Sequence, residues 1–159
     1  MSRGLYRVIN PIVKRILRSP LHGVLSKNTL LLEFTGRKSG RKLSTPVSYH
    51  STDGVAHCFT RKSFNWWNNL DSGEPVYVTI KGKRHLVTPE VEAENSEIKG
   101  QALGHFLRAV PRDAPHSGVS LDTNGDPNVD DIKRVISDMV YFRLPLPNEP
   151  HVAPARPTA

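Results

Sequence analysis

The first twenty residues show apolar and basic positions with the spacing of an α-helix. Apolar residues recur every three or four positions on one side, whereas the opposite side carries cations. The apolar positions are Leu5, Val8, Ile9, Ile12, Val13, Ile16 and Leu17, and the cations are Arg7, Lys14, Arg15 and Arg18. We therefore predict a basic amphipathic helix over residues 1–20, kinked or started late by Pro11. Two roles stay open for it: to cap the core, or to lie on an anionic membrane surface.

From residue 30 onward the spacing of apolar residues changes to the alternation of β-strands. Asp53-Gly54 and Lys81-Gly82-Lys83 are tight-turn sequences that join strands into antiparallel hairpins. The pattern predicts a meandering antiparallel sheet that closes as a small barrel. Its five short strands are predicted over residues 30–35, 43–50, 55–60, 76–81 and 84–91.

Helical spacing returns in the last third of the chain. Residues 92–110 predict a helix that ends before Pro111, with an apolar stripe of Ile98, Ala102, Phe106 and Val110. Asp130 and Asp131 open a short helical turn, and residues 139–144 predict a last strand. Residues 146–159 are rich in proline and predict an extended or disordered tail.

The length of 159 residues fits one compact domain, which we place at residues 21–145. The predicted fold class is α+β, mainly antiparallel β-sheet with flanking helices. Cys58 is the single cysteine and lies in an apolar run, so we expect a buried thiol and a reducing compartment. Without a membrane-spanning stretch or a signal peptide, we expect a cytoplasmic protein, free or peripheral at the inner face of the plasma membrane.

Positive charge is concentrated at the start of the chain. Residues 1–45 contain ten Lys and Arg against one acid, Glu33, whereas the remainder holds twelve bases and fourteen acids. A basic head indicates an anionic partner: a lipid surface, a nucleic acid or a multiply charged small molecule. We do not expect a nucleic acid, because no aromatic-rich strand accompanies the cations to stack bases.

The loop "GRKSG", residues 36–40, combines glycines, cations and a hydroxyl between two predicted strands. Gly36 and Gly40 allow backbone conformations that direct successive N–H groups into a concavity. Lys38, Ser39 and Arg41 add charge and hydrogen bonds suited to phosphate or carboxylate oxygens. Either this loop binds an anion or it is a solvated hairpin with a basic tip.

A second cluster of donors precedes two tryptophans in "TRKSFNWWNNL", residues 60–70. Adjacent tryptophans cannot face the same side, so we expect one in the core and the other beside a cavity, unless both only pack. If Asp53-Gly54 joins two hairpin strands, their far ends at Leu43 and Thr60 lie close together. Two cationic loops would then converge at one mouth of the barrel, suited to a ligand with an anionic tail and a flat ring.

Familiar catalytic and metal-binding patterns are missing from the sequence. There is no G-x-S-x-G, no H-E-x-x-H and no second cysteine, and the seven histidines are scattered. We therefore predict no catalytic side chain and no metal site.

The stretches "LLEFTGRKSGRKLSTPVSY", "DGVAHCFTRKSFNWWNNL" and "GEPVYVTIKGKRHLVTPE" resemble the deazaflavin-dependent nitroreductase family of actinobacterial oxidoreductases. The resemblance spans about residues 24–144 in order. It implies a split β-barrel of the flavin-reductase type with helices packed outside. It also implies hydride transfer from reduced coenzyme F-420 to a small organic acceptor, such as a quinone or a nitroaromatic, with the cofactor carrying the hydride.

The resemblance assigns cofactor-binding roles to particular residues. Lys38, Ser39 and Gly40, with Arg41 beside them, match the loop that holds the cofactor's phosphate and polyglutamate tail. Thr45, Pro46 and Val47 match the strand beside the deazaflavin ring. The second anion loop and the aromatic and amide residues after it are matched by Thr60, Arg61, Lys62, Trp67 and Asn69.

Three departures from the family pattern keep other interpretations open. Leu43 stands where members often carry an arginine, and the second loop is short. The later segment "PRDAPHSGV" offers His116 where some relatives carry tyrosines. With the basic N-terminal segment and the paired tryptophans, these features also suit a non-catalytic, membrane-associated relative that binds fatty acid or lipid. FMN or haem in the same barrel type is a further possibility, and the oligomeric state, monomer or homodimer, stays open.

Overall fold

The computed structural model describes residues 27–147, so the predicted helix over residues 1–20 and the tail from residue 148 lie outside the described residues. Within that part, seven strands form one curled antiparallel sheet. They are β1 (Thr29–Thr35), β2 (Lys42–Thr52), β3 (Val55–Arg61), β4 (Val76–Ile80), β5 (Lys83–Val87), β6 (Glu90–Glu92) and β7 (Met139–Pro145). Their order across the sheet is β5-β4-β1-β2-β3-β7-β6.

Helices flank this sheet. They are α1 (Ser96–Ala109), α2 (Ala114–Ser117) and α3 (Val129–Val135), with short 3-10 turns at Lys62–Phe64, Trp66–Asn69, Pro111–Asp113 and Ile136–Asp138. The start of α1 is capped by Asn95, whose side chain accepts a hydrogen bond from the N–H of Ile98. No helix among residues 27–147 is both long and apolar enough to cross a membrane.

One strand, β2, belongs to both halves of the sheet. It pairs with β1 from Lys42 to Ser48 and then with β3 from Tyr49 to Thr52. The sheet therefore curls about β2 into a split barrel. The predicted fold, mainly antiparallel β with flanking helices, is confirmed.

Two apolar cores lie on opposite faces of β3 and β7. Inside the barrel, alternate residues of the strands pack together, among them Leu32, Val78 and Phe142. On the outer face, α1 packs through Leu103, Phe106 and Leu107. Cys58 belongs to the inner core with 0% exposure, and burial raises the pKa of its thiol well above the ordinary value.

Strand connection and extent differ from the simple predicted meander in two places. β4 pairs with β1 instead of β3, and the tryptophan turns lie in the connection from β3 to β4. The predicted strand over residues 84–91 is divided after Val87, and Thr88-Pro89 separates β5 from β6, which pairs with β7. Proline cannot donate to a ladder, which explains the break.

The predicted apolar stripe of the long helix is buried at Phe106 and Val110 and differs from the prediction at its start. Ile98 is 47% exposed, whereas Lys99 next to it is 1% exposed and turned into the protein. The helix also begins at Ser96, later than predicted, because residues 90–92 form β6.

Candidate functional site

The glycine-rich loop between β1 and β2 is closed by its own backbone. The N–H of Gly36 donates to the carbonyl of Arg41, and the N–H of Gly40 donates to the carbonyl of Gly36, both at 2.8 Å. Gly40 has a φ of 66°, in the left-handed region that favours glycine. A Cβ on Gly36 would lie 2.7 Å from Oγ of Ser39, so a side chain there would require the Ser39 hydroxyl to move. The two glycines therefore permit a tight six-residue turn.

The turn displays cations on its surface. Arg37, Lys38, Arg41 and Lys42 are exposed, and no carboxylate among residues 27–147 lies within ion-pair distance of them. Oγ of Ser39 accepts the N–H of Arg41 at 3.3 Å, which leaves its hydroxyl proton able to donate outward. Concentrated positive charge with few local counter-ions favours an anionic ligand.

The two tryptophans have different surroundings, as their adjacency predicts. The ring of Trp66 packs on the inner core, stacked on Phe34 at 5.9 Å between centroids and edge-on to Phe142 at 5.8 Å. Trp67 is partly buried, and its indole N–H donates to the carbonyl of Lys62 at 3.0 Å. Trp66 is thus the core residue, and Trp67 holds the turn closed while keeping part of its ring accessible.

The two loops converge, although not for the reason that the sequence indicates. Pairing between β2 and β3 stops at Tyr49 and Cys58, so Leu43 and Thr60 are not neighbours across a hairpin. Instead, the N–H of Arg37 in the first loop donates to Oδ1 of Asn69 in the tryptophan turn at 2.9 Å. This hydrogen bond brings the first loop to the tryptophan turn, whereas no contact joins it to the cations Arg61 and Lys62 of the second loop among the described residues.

The cations of the second loop are engaged elsewhere. The guanidinium of Arg61 donates to the carbonyl of His116 at 2.6 Å, and Nζ of Lys62 lies 3.4 Å from Oε1 of Glu94. The Lys62 pair is weak, because the Glu94 side chain is 86% exposed. The first loop therefore offers more available charge than the second.

The predicted strand residues differ in how much side chain they present. Thr45 and Val47 are 5% and 6% exposed and lie on the face of β2 that lines the inner core. Thr60 is likewise buried on β3. Pro46 lies on the opposite face of β2 and is partly exposed. Of these three β2 residues, it is therefore the one whose side chain is accessible to a ligand.

A cluster of histidines beside β7 was not predicted from the sequence. Nδ1 of His57 is 2.6 Å from the hydroxyl of Tyr141, and Nε2 is 2.8 Å from Oγ1 of Thr52. The ring of His50 stacks on that of His57 at 4.7 Å between centroids. The Asp53-Gly54 turn carries the signal that could have found this pair, since a two-residue hairpin places His50 opposite His57.

The surroundings of His57 disfavour its charged form. Burial lowers its pKa to about 4, and the nearby His50, Arg143 and His105 act in the same direction, whereas Asp53 opposes them. Burial and His105 also lower the pKa of His50. Both rings are therefore neutral near pH 7, and they lie at the far end of β2 from the basic loop.

A separate open groove of about 470 Å³ lies beside α2 and is mainly apolar. Its acid, Asp131, accepts hydrogen bonds from the N–H and the hydroxyl of Ser120, which lower its pKa. This groove is distant in sequence from the two loops, and its acid is already bonded within the protein.

Comparison with known proteins gives the fold without a family. No protein-family model and no curated protein matches the chain. A solved domain-swapped dimer is 18% identical, with 87% of this chain and 97% of that chain covered and a TM-score of 0.50. A protein of unknown function from Agrobacterium tumefaciens is 15% identical, with 98% and 62% covered and a TM-score of 0.53. An F-420-H2-dependent reductase is 19% identical, with 76% and 96% covered and a TM-score of 0.47. Identities this low show a shared fold alone.

Proposed function

We propose that this chain is an oxidoreductase that binds reduced coenzyme F-420 and reduces a small electron-poor organic molecule, such as a quinone or a nitroaromatic. The observation that carries the proposal is the closed glycine loop, which displays exposed cations and whose backbone bonds to the tryptophan turn through the N–H of Arg37. The sequence resemblance to deazaflavin-dependent reductases supports the same ligand.

The loop suits the anionic end of the cofactor. Lys38 and Arg41 are exposed cations that would hold phosphate and carboxylate oxygens, and the hydroxyl of Ser39 would add a donor. Arg41 and Lys42 directly precede Leu43, so they supply positive charge where the family arginine is missing. Lys62 would join the site by exchanging Glu94, an exposed and weakly held partner, for the ligand.

The flat part of the cofactor needs apolar neighbours, and the chain offers two partly exposed rings for this role. We propose Pro46 on β2 and Trp67 in the tryptophan turn as these neighbours. Thr45 and Val47 would support them from within the core. When bound, reduced F-420 supplies a hydride for the acceptor, so the protein has to bind, orient and exclude water.

Titration of F-420 with the purified protein, followed by quenching of its fluorescence, tests the proposal. Charge-assisted hydrogen bonds contribute about 1.5–3 kcal/mol each, so Lys38→Ala should weaken binding roughly ten- to a hundredfold. Lys133→Ala on α3 removes an exposed lysine outside the loop and is the matched control.

The outcomes separate the parts of the proposal. Absence of saturable F-420 binding by the unaltered protein at micromolar concentration would overturn the reductase assignment. An unchanged dissociation constant in Lys38→Ala would remove the loop from the binding site. The same titration with FMN distinguishes a deazaflavin site from a flavin site.

A further inference from the structure

The side-chain amide of Asn69 bonds to the basic loop through its oxygen and to the tryptophan turn through its nitrogen. Its Oδ1 accepts the N–H of Arg37 at 2.9 Å, and its Nδ2 donates to the carbonyl of Trp66 at 2.9 Å. The second bond fixes the orientation of the amide, because a flipped amide would place two donors against the N–H of Arg37. Asn69 is therefore a bridge with a defined direction.

The bridge closes a ring of contacts around the base of the loop. Trp66, which accepts from Asn69, stacks its indole on Phe34, and Phe34 lies in β1 two residues before Gly36. The path from Phe34 along the backbone to Arg37, across to Asn69 and back through Trp66 is thus continuous. Phe34 is buried on this path, and Trp66 and Asn69 are partly buried. The tryptophan turn therefore provides a firm base for the loop.

The loop needs such a support. Its three cations and Lys42, the first residue of β2, lie within six consecutive residues, 37–42, and repel one another when no anion is bound. Among residues 27–147, the other hydrogen bonds of the turn are internal: Gly36 to Arg41, Gly40 to Gly36, and Arg41 to Ser39. Internal bonds preserve the shape of a loop but do not fix its position relative to the rest of the protein. The bond between Arg37 and Asn69 fixes that position.

We propose that Asn69 is a positioning residue, which acts through the backbone of Arg37 to hold the cations of the loop in place for a phosphate-containing ligand. The inference rests on the proposed function, since it assigns Asn69 to the support of that site. It differs from the sequence expectation, in which Asn69 binds the cofactor directly. The amide oxygen and one of its protons are already used within the protein.

Three variants test the role. Asn69→Ala removes the bridge. Asn68→Ala is the matched control, because Nδ2 of Asn68 donates only within the turn, to the carbonyl of Asn65 at 2.9 Å. Asn69→Asp keeps an oxygen for the N–H of Arg37 and loses the donor to Trp66, so it isolates the contribution of the acceptor.

Two measurements apply to each variant. Hydrogen exchange of the Arg37 amide, followed by NMR, reports the bridge without any ligand. Titration with F-420 and, separately, with inorganic phosphate, followed by the amide signals of Lys38 and Ser39, reports ligand affinity. We expect Asn69→Ala to speed exchange at Arg37 and to weaken both ligands roughly three- to tenfold. Asn68→Ala should change neither, and Asn69→Asp should keep the protection of the Arg37 amide.

The possible results lead to different conclusions. Equal affinity of Asn69→Ala and the unaltered protein for both ligands would overturn the positioning role. Unchanged protection of the Arg37 amide in Asn69→Ala would also overturn it, because the acceptor oxygen is absent there. If phosphate binds and F-420 does not, the cofactor assignment fails and the phosphate series alone decides the role of Asn69. If neither binds, both proposals fail.

Discussion

Lys99 holds three segments of the chain together from inside the protein. Its Nζ donates to the carbonyl of Ala93 at 2.8 Å and to those of Ile136 and Met139 at 2.9 Å. All three protons of the ammonium group thus have an acceptor. Burial, with a smaller contribution from Lys62, lowers the pKa of Lys99 from its ordinary value. The residue joins the start of α1 to the start of β7.

Replacing this lysine should destabilise the fold. Lys99→Met fills most of the same volume but leaves three carbonyls without their donor, so we expect a loss of about 2–4 kcal/mol in the free energy of unfolding. Urea unfolding followed by circular dichroism measures this loss. Lys133→Met, on the exposed side of α3, is the control and should stay within about 0.5 kcal/mol. An unchanged urea midpoint in Lys99→Met would show that the three bonds contribute little.

At the scale of elements, the β2–β3 hairpin is joined to β7 through His57. The ring lies between Thr52 at the end of β2 and Tyr141 in β7, and it stacks on His50 across the hairpin. Tyr141 is itself buried, which raises its pKa. Because burial disfavours the charged ring and lowers the pKa of His57, the stability of this region depends on pH.

Acid should weaken the fold through His57. Its pKa is about 4 in the folded protein and near 6.5 when unfolded. Above pH 6.5 the ring is neutral in both states, so its protonation removes no stability from the fold. As the pH falls from 6.5 to 4, the unfolded chain binds a proton that the folded chain does not, and stability decreases. His50 acts in the same direction.

Urea titrations at several pH values between 7 and 4 measure this effect. His57→Asn should flatten the decline in the free energy of unfolding, whereas His116→Asn, at an exposed position, should retain it. Equal slopes in His57→Asn and the unaltered protein would mean that other groups cause the acid sensitivity.

Elements with strong periodicity were predictable from the sequence, and their partners were less so. Alternation located β2 and β3, a short apolar run located β1, and the Asp53-Gly54 turn set the register of the central hairpin. The return of β4 to β1 depends on the path of the chain through the tryptophan turns, which no local pattern specifies. Pro89 did carry a local signal for the break between β5 and β6.

In the candidate site too, features formed by adjacent residues were predictable from the sequence, and contacts between distant residues were not. The basic loop was evident from glycines and cations that are adjacent in sequence. Asn69 was matched to a ligand role by resemblance, but its bond to Arg37 joins residues 32 positions apart and requires the folded structure. Lys99 gave no signal, since hydrophobic spacing predicts an apolar residue wherever a helix faces the core.

At the scale of the whole molecule, charge is distributed unevenly. The chain has a net charge of +7, and ten of its 22 Lys and Arg residues lie in the first 45 positions. Three of these ten are in the loop between β1 and β2, and a fourth, Lys42, is the first residue of β2. The loop therefore belongs to a larger basic region of the sequence, which favours approach of a polyanionic molecule.

Binding of such a molecule should weaken as salt is added. Raising sodium chloride from about 0.05 to 0.5 M shortens the screening length several-fold, so we expect the dissociation constant of F-420 to rise roughly three- to tenfold. Lys38→Ala should show a shallower dependence, because it has one ionic contact fewer. A dissociation constant that is independent of salt would show that ring packing, and not charge, dominates the affinity.

The shared strand β2 has a consequence for how proteins with this architecture diverge. Both sheet halves need it, since it pairs with β1 up to Ser48 and with β3 from Tyr49. Insertion of one residue within β2 would turn Thr45 and Val47 outward and misalign one half against the other. The loop before the strand lies outside both ladders and can change in length and charge without this penalty. Changes of length and charge at this end of the sheet are therefore compatible with a strand whose own length is fixed by its two ladders.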